Sequence, residues 1–399
     1  MRVLVGSFAP DKPMKITDVK TFLVDSGSSK LWLFAKVETS NGLHGWGEAY
    51  TQLDRDRAIE IHIQELGRYL EGRSPFDIKQ FLYSAYTDFA GKRGSMDFFS
   101  ALSAVEQALW DICGKATEQP VYNLLGGKMQ SRLRVYANGW GANQSPHEVA
   151  ERAAATVAKG FDALKFDPFP GPWRAFINRE QEDSAVARVK AVREAVGPHV
   201  DILVEVHRRL APMHAIRVAK AMEPYKPFWF EEPVSCRDLD SLVEVQRNVS
   251  LPVVTGEELY TKVEFQPILK RRAAEILNPD VCVCGGILEL REIAAMAEAQ
   301  HVAMSPHNYN STTVGLAATL HASAGMPNFL ITEYFVNFEA AGEAVCDKPF
   351  VVEDGHIELP TRPGLGIELD EDALLVRPYR QRVKRDLALA ADHFRDEKR

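Results

Sequence analysis

Apolar and polar positions along this chain follow two different periods, and the change of period divides it. From Lys15 to Tyr50 the segments KITDVKTFLVD, KLWLFAKVET and GLHGWGEAY alternate every second residue as strands do, and Asn41-Gly42 between the last two is a hairpin signal. Residues 55–72, 76–91 and 100–116 then carry the 3.6-residue period of helices. Strands followed by helices predict an α+β domain over residues 14–130.

After Gly126-Gly127, short apolar runs alternate with amphipathic helical stretches. The runs cover 133–138, 161–167, 201–207, 227–233, 251–258, 275–280, 301–306 and 328–333. Eight runs with seven crossovers predict a parallel barrel, since parallel strands require such crossovers. The competing open, doubly wound sheet calls for a Gly-rich phosphate loop after an early strand, and the sequence has none. The expected fold class is therefore α/β, a modified TIM barrel of (β/α)7β type over residues 131–356, preceded by the α+β domain. Residues 357–399 are expected to rejoin the first domain through a turn-rich stretch and a strand, ending in a charged surface helix or frayed tail. Residues 1–13 are expected to be a loose extension.

Bulk properties remove several function classes. The chain has 399 residues and a net charge of -8 without a basic stripe, which argues against a nucleic-acid or anionic-membrane partner. Five scattered cysteines do not form a secreted disulfide framework, and Cys282-x-Cys284 lacks the second pair of a zinc site. No signal peptide and no run of eighteen apolar residues is present, so a cytoplasmic protein without a membrane partner is expected.

The candidate chemistry lies at the ends of the apolar runs. Glu205, Glu231 and Glu257 are followed at similar intervals by Asp280, His307 and Glu333. An interval of this size is one strand, one helix and their loops, so all six are expected at one level, the carboxyl-terminal mouth where barrel enzymes work. A single such Glu is ordinarily a strand-end salt bridge. Three carboxylates about 4 Å apart would repel by about 4 kcal/mol per pair at an effective dielectric near 20, and a divalent cation removes that cost. Oxygen-only ligands point to a hard ion such as Mg²⁺. On the same face as Glu205, two residues on, stands His207.

These residues resemble a known family. Glu205, the first Glu of FEEP (230–233) and the first Glu of GEE (256–258) look like the three-carboxylate metal site of the enolase superfamily, and Asp280 with His307 looks like the Asp-His dyad of its mandelate racemase branch. GWGEAY (45–50), ALWDICGKA (108–116), NPD (278–280), GGI (285–287) and PGLGIELD (363–370) extend the resemblance over about residues 14–375. YANGW (136–140), ALKFDPF (163–169) and His207 are most similar to sugar-acid dehydratases of the gluconate, galactonate and arabinonate type. Racemases and muconate-lactonising members carry Lys-x-Lys on the second barrel strand, and this chain has Asp167 at the second position.

The resemblance implies an N-terminal capping domain, bound Mg²⁺ and a hydro-lyase of carbohydrate catabolism. It would convert a C5 or C6 aldonate into a 2-keto-3-deoxy acid by C2 proton abstraction and loss of the 3-hydroxyl. His307, oriented by Asp280, is the expected base, His207 the acid for the departing hydroxyl, and Glu333 a protonated or paired partner of the enediolate. Lys165 is expected to meet the substrate carboxylate and Asp167 a hydroxyl, with a plain Lys-Asp pair at even odds. Arg209 would reach a distal hydroxyl or solvate a loop, and Asn138 and Trp140 are weaker candidates. Trp46 and Tyr50 either close over substrate or fill the core. The same enediolate would serve an epimerase or cycloisomerase acting on a sugar acid or its lactone, and a non-catalytic barrel is the alternative outside enzymes. The resemblance further implies a homo-oligomer.

Overall fold

A three-stranded antiparallel meander opens the described chain: β1 (Ile16–Asp25), β2 (Leu31–Thr39) and β3 (His44–Ala49), the last two joined by a tight turn at Asn41-Gly42 where Gly42 takes a φ of 87°. The computed structural model describes residues 14–28, 30–88, 91–141, 144–169 and 175–382, so both expected tails lie outside the described residues. Helices α1 (Asp56–Leu70), α2 (Ile78–Thr87) and α3 (Met96–Ala116) follow, with a single turn α4 (Val121–Leu124). Helix α3 is apolar or small on nearly every face and is buried from Phe99 to Gly114 apart from Trp110, because it packs on β3 and α1 together.

Eight parallel strands then alternate with seven helices: β4 (Arg132–Asn138), α5 (Pro146–Val157), β5 (Ala163–Phe166), α6 (Arg179–Val196), β6 (Asp201–Glu205), α7 (Pro212–Met222), β7 (Trp229–Glu231), α8 (Leu239–Asn248), β8 (Val253–Thr255), α9 (Thr261–Arg271), β9 (Ile276–Leu277), α10 (Ile287–Glu298), β10 (Ala303–Met304), α11 (Val314–Ser323) and β11 (Thr332–Phe335). Strand β11 pairs with β4, and Met304 bridges Phe329, so the ring closes. This is the (β/α)7β barrel. Local sequence starts its helices: Ser145 with Glu148, and Asn178 with Gln181, form reciprocal capping boxes at α5 and α6.

Side chains alternate across each strand, and that alternation builds the site. One inward layer is apolar: Tyr136, Ala163, Leu203, Trp229, Val254, Ile276 and Ile331 form a separate buried cluster. Two residues further along most of these strands come Asn138, Lys165, Glu205, Glu231, Asn278 and Glu333. A greasy floor therefore lies directly under a polar layer.

A short helix α12 (Glu339–Glu343) and the hairpin β12 (Val352–Glu353) and β13 (His356–Glu358) follow, β13 pairing with β4 of the barrel. Contacts with the first domain resume at Gly364, which bridges Pro120, and reach Pro378, which bridges Val24. The strand expected in this tail is instead helix α13 (Glu371–Leu375), whose first N–H groups are capped by the Asp370 carboxylate. The first domain is tied to the barrel by buried polar contacts: Glu48 of β3 accepts from Ser311 N (2.7 Å), Ser311 Oγ (2.5 Å) and Gly315 N (2.7 Å). Among the described residues, no helix is long and apolar enough to cross a membrane.

Candidate metal centre and acid–base site

The carboxylates at the ends of β6, β7 and β8 converge. Glu205 and Glu231 are register partners, and oxygens of Glu205, Glu231 and Glu257 lie within 4.8 Å of one another. Each is partly committed elsewhere. Glu231 Oε1 accepts from Lys165 Nζ (2.8 Å) and Asn278 Nδ2 (2.9 Å), and Oε2 from Trp229 Nε1 (2.9 Å). Glu205 Oε1 accepts the backbone N–H groups of Val206 (2.9 Å) and His207 (2.7 Å). Its Oε2 is buried without a hydrogen bond, 3.4 Å from the Lys165 ammonium, as suits an oxygen that would ligate a cation. Burial and the neighbouring Glu205 charge push the Glu231 carboxyl well up. For Glu257 burial works in the same direction but is outweighed by Arg208, His307 and Lys165, which hold that carboxyl down. The three therefore fit an oxygen-ligated hard cation, whose charge would let all of them ionise.

Two imidazoles flank this cluster, each with its own carboxylate. His307 Nδ1 meets Asp280 Oδ2 at 2.8 Å, and Asp280 is held in turn by Asn310 Nδ2 (2.9 Å to each oxygen) and Cys282 N (2.8 Å). His307 Nε2 lies 3.3 Å from Glu257 and 3.4 Å from Glu333. Burial opposes charge on His307, but Glu333, Glu257 and Asp280 prevail and raise its pKa. His207 Nδ1 meets Asp167 Oδ2 at 2.9 Å; burial is again outweighed, here by Glu205 and Asp167, and its pKa rises. After Glu205 the chain enters the left-handed region at two successive non-glycine residues, His207 (φ 53°) and Arg208 (φ 51°). Such backbone is costly and is found where a site over-determines it.

A cavity of about 450 Å³ opens over both imidazoles. Its lining includes Glu205, Glu257, Lys165, Asn138, Asp167, Tyr50, Gln52, Tyr309 and Phe335. This volume suits a small organic acid.

The structure gives several of the sequence-predicted residues protein partners of their own. Lys165 is 1 % exposed, and its ammonium lies 2.8 Å from Glu231, 2.8 Å from Glu333 and 3.4 Å from Glu205. With three carboxylates around its three donors it serves as a counter-ion within the cluster, and its side chain also lines the cavity. Asp167 lines the cavity while its oxygens hold protein partners: Oδ2 meets His207 and Arg209, and Oδ1 accepts Phe169 N at 2.8 Å. Arg209 does not line the cavity, because its guanidinium serves Asp167, Val206 O (2.7 Å) and Phe169 O (3.0 Å). Glu333 is paired, as one of its two expected states required. Burial raises its carboxyl, but Lys165, His307 and Asn138 hold it down at about 2. It also accepts Asn308 N (3.0 Å) and is not among the residues lining the cavity. Asn138 lines the cavity while donating to Glu333 (2.8 Å). Trp46 and Trp140 are buried, bonded to Glu368 (3.1 Å) and Ala137 O (3.1 Å).

Sequence reasoning missed Arg208. Its Nη1 lies 2.5 Å from Glu257 and 3.6 Å from Glu232, and its Nε 3.4 Å from Glu258. It supplies a cation to a second acidic group, Glu232, Cys236 and Glu258, and fixes the outer oxygen of Glu257. Nothing in strand periodicity signals this, because Arg208 follows the strand in a left-handed turn.

Fold and site together define an α/β-barrel protein with a carboxylate cluster and paired acid–base groups beneath a capping domain. The chain belongs to the mandelate racemase / muconate lactonizing enzyme family of the enolase superfamily: the N-terminal domain of that family matches residues 13–126, and an enolase C-terminal domain-like region matches residues 148–373. It is 36 % identical over 345 residues to a D-gluconate dehydratase of Thermoproteus tenax, covering 86 % of this chain and 69 % of the relative. To a D-galactonate dehydratase of Variovorax paradoxus it is 34 % identical over 370 residues, covering 91 % and 94 %. The crystal structure of a mandelate racemase/muconate lactonizing enzyme from Sulfitobacter superposes with a TM-score of 0.86 at 35 % identity, covering 92 % of this chain and 96 % of that one.

Proposed function

We propose that this protein is a hydro-lyase that dehydrates a C5 or C6 aldonic acid to a 2-keto-3-deoxy acid, with Mg²⁺ held by Glu205, Glu231 and Glu257. One observation carries the reading: two imidazoles, each oriented by its own carboxylate, face one cavity beside the acidic cluster. Dehydration needs two such groups, one to take a proton from C2 and one to give a proton to the leaving hydroxyl. The named relatives support it. A bound Mg²⁺ would supply positive charge beside the substrate carboxylate, which makes the C2 proton easier to remove.

His307 takes the C2 proton at Nε2, with Asp280 fixing the tautomer through Nδ1. Glu257 is one of the charges that raise the His307 pKa, and a cation held by Glu257 would offset it. His207 delivers a proton from Nε2 to the 3-hydroxyl, which leaves as water; the resulting enol becomes the keto acid when C3 is protonated. Asp167 and Glu205 favour the charged imidazole that this role needs. An epimerase would share only the first step, and the position of a second-strand base is here taken by Asp167, which is engaged with His207 and Arg209.

The test is a library of C5 and C6 aldonic and aldaric acids assayed for semicarbazide-reactive keto acid with and without EDTA. One or more aldonates should give keto acid, and EDTA should abolish it. No turnover of any acid would remove the function and leave the fold and the carboxylate cluster in place.

A further inference from the structure

A lysine of the capping domain is buried against two aromatic rings. Lys30 stands immediately before β2 and is 4 % exposed. Its ammonium lies 4.1 Å from the ring centroid of Tyr50 and 4.1 Å from that of Tyr309, and it donates to the Tyr309 carbonyl. Among the described residues it makes no ion pair with a carboxylate. A buried ammonium without a counter-ion is costly, and two aromatic faces with one carbonyl are the partners that offset the cost here.

Both rings border the cavity. Tyr50 ends the GWGEAY segment of the capping domain, its ring centroid 6.1 Å from that of His307, and its hydroxyl accepts from Gln52 Nε2 (2.9 Å). Tyr309 belongs to the barrel loop just after His307 and packs on Phe335 at 4.7 Å. The two tyrosine rings are 6.4 Å apart at 61°, an edge-on pair with the ammonium lodged against both. Lys30 thus joins the capping domain to the loop that carries the dyad histidine.

We propose that Lys30 is a positioning residue that sets the separation and tilt of Tyr50 and Tyr309, and that these rings form the wall against which the distal carbons of the sugar acid pack. The ligand rests on the proposed function; the positioning does not. Aromatic faces suit the C–H faces of a polyhydroxylated chain, while its hydroxyls remain free to bond polar groups such as Gln52 and Asn138 across the same cavity. Removing the ammonium takes away what holds the rings apart, so the wall changes shape while His307 keeps Asp280 and His207 keeps Asp167 as hydrogen-bond partners. The loss falls on binding.

The experiment compares Lys30→Met, which keeps the length and loses the charge, with Lys30→Arg, which keeps a cation able to stack on both rings. Amide hydrogen exchange on the ligand-free full chain is the first readout. Peptides covering 47–52 and 307–313 should exchange at least fivefold faster in K30M and return to within twofold of wild type in K30R. The second readout is steady-state kinetics on whichever acid the wild type dehydrates: KM should rise about tenfold in K30M with kcat within threefold, and K30R should recover most of it. Unchanged exchange at both segments in K30M, or an unchanged KM, overturns the proposal. If K30M does not fold, Tyr309→Leu removes one of the two rings, and exchange at 47–52 decides in the same way. A wild type that dehydrates no acid would sink the proposed function, and the exchange result would still decide for or against Lys30.

Discussion

Replacing Asp167 by Asn separates the two proton transfers. Asp167 Oδ2 accepts from His207 Nδ1 at 2.9 Å and pairs with Arg209, whose side chain is 3 % exposed. An amide keeps the shape and removes the charge. Charge-assisted hydrogen bonds are roughly twice as strong as neutral ones, so two such contacts weakened by about 1 kcal/mol each predict a stability loss of about 2 kcal/mol, readable as a shift in the urea midpoint. The larger effect is kinetic. Without Asp167 the His207 imidazolium loses one of the charges that favour it and its fixed tautomer, and general-acid catalysis is worth about 10²–10⁴-fold. Dehydration should therefore fall by about 100-fold or more in kcat. Proton abstraction should survive, because His307 and Asp280 are untouched. In D₂O the variant should return substrate deuterated at C2 faster than it makes keto acid. Equal loss of exchange and dehydration, or dehydration at the wild-type rate, would refute the division of labour between the two histidines.

Three further outcomes are expected. His307→Asn should lower both C2 exchange and keto-acid formation by about 10²–10⁴-fold, since both begin with this base, and exchange at the wild-type rate would move the base elsewhere. Saturation with Mg²⁺ at 100 times its Kd should stabilise the wild type by about 2.7 kcal/mol, seen as a higher Tm, while Glu257→Gln should lose most of that gain; an equal shift in both would place the ion elsewhere. His321 is held neutral by burial, its pKa lowered from 6.5 to about 4, with Nδ1 accepting from Tyr122 N at 3.2 Å. The unfolded chain therefore takes up the proton more readily between those pH values. The resulting stability is complete above 6.5 and lost as pH falls toward 4, by up to about 3 kcal/mol. His321→Gln should flatten that acid limb in urea titrations at pH 7 and 4.5, and an unchanged limb would contradict the assignment.

How much of this was legible in the sequence depended on whether the information was periodic. Strand alternation and the repeated spacing of strand ends placed Glu205, Glu231, Glu257, Asp280, His307 and Glu333 at one level, because one strand-helix unit of the barrel has nearly constant length. The partner each side chain takes depends on its azimuth around the barrel, which no local pattern encodes. The sequence therefore places Lys165 in the site without showing that it pairs with Glu231 and Glu333. Nor does it show that Asp167 meets the His207 imidazole. Arg208 and Lys30 gave no signal, since one follows a left-handed turn and the other acts across the domain boundary. The C-terminal segment was misread locally: EDALL folds as a capped helical turn, because Asp370 offers its carboxylate to the first N–H groups.

The most direct test of the central claim is the fate of hydrogen when the wild type acts on a reactive aldonate in D₂O with Mg²⁺ present. The account predicts a 2-keto-3-deoxy acid carrying one solvent deuterium at C3, because the enol left by loss of the 3-hydroxyl is protonated there. Recovered substrate deuterated at C2 with inverted configuration, and no keto acid, would contradict it.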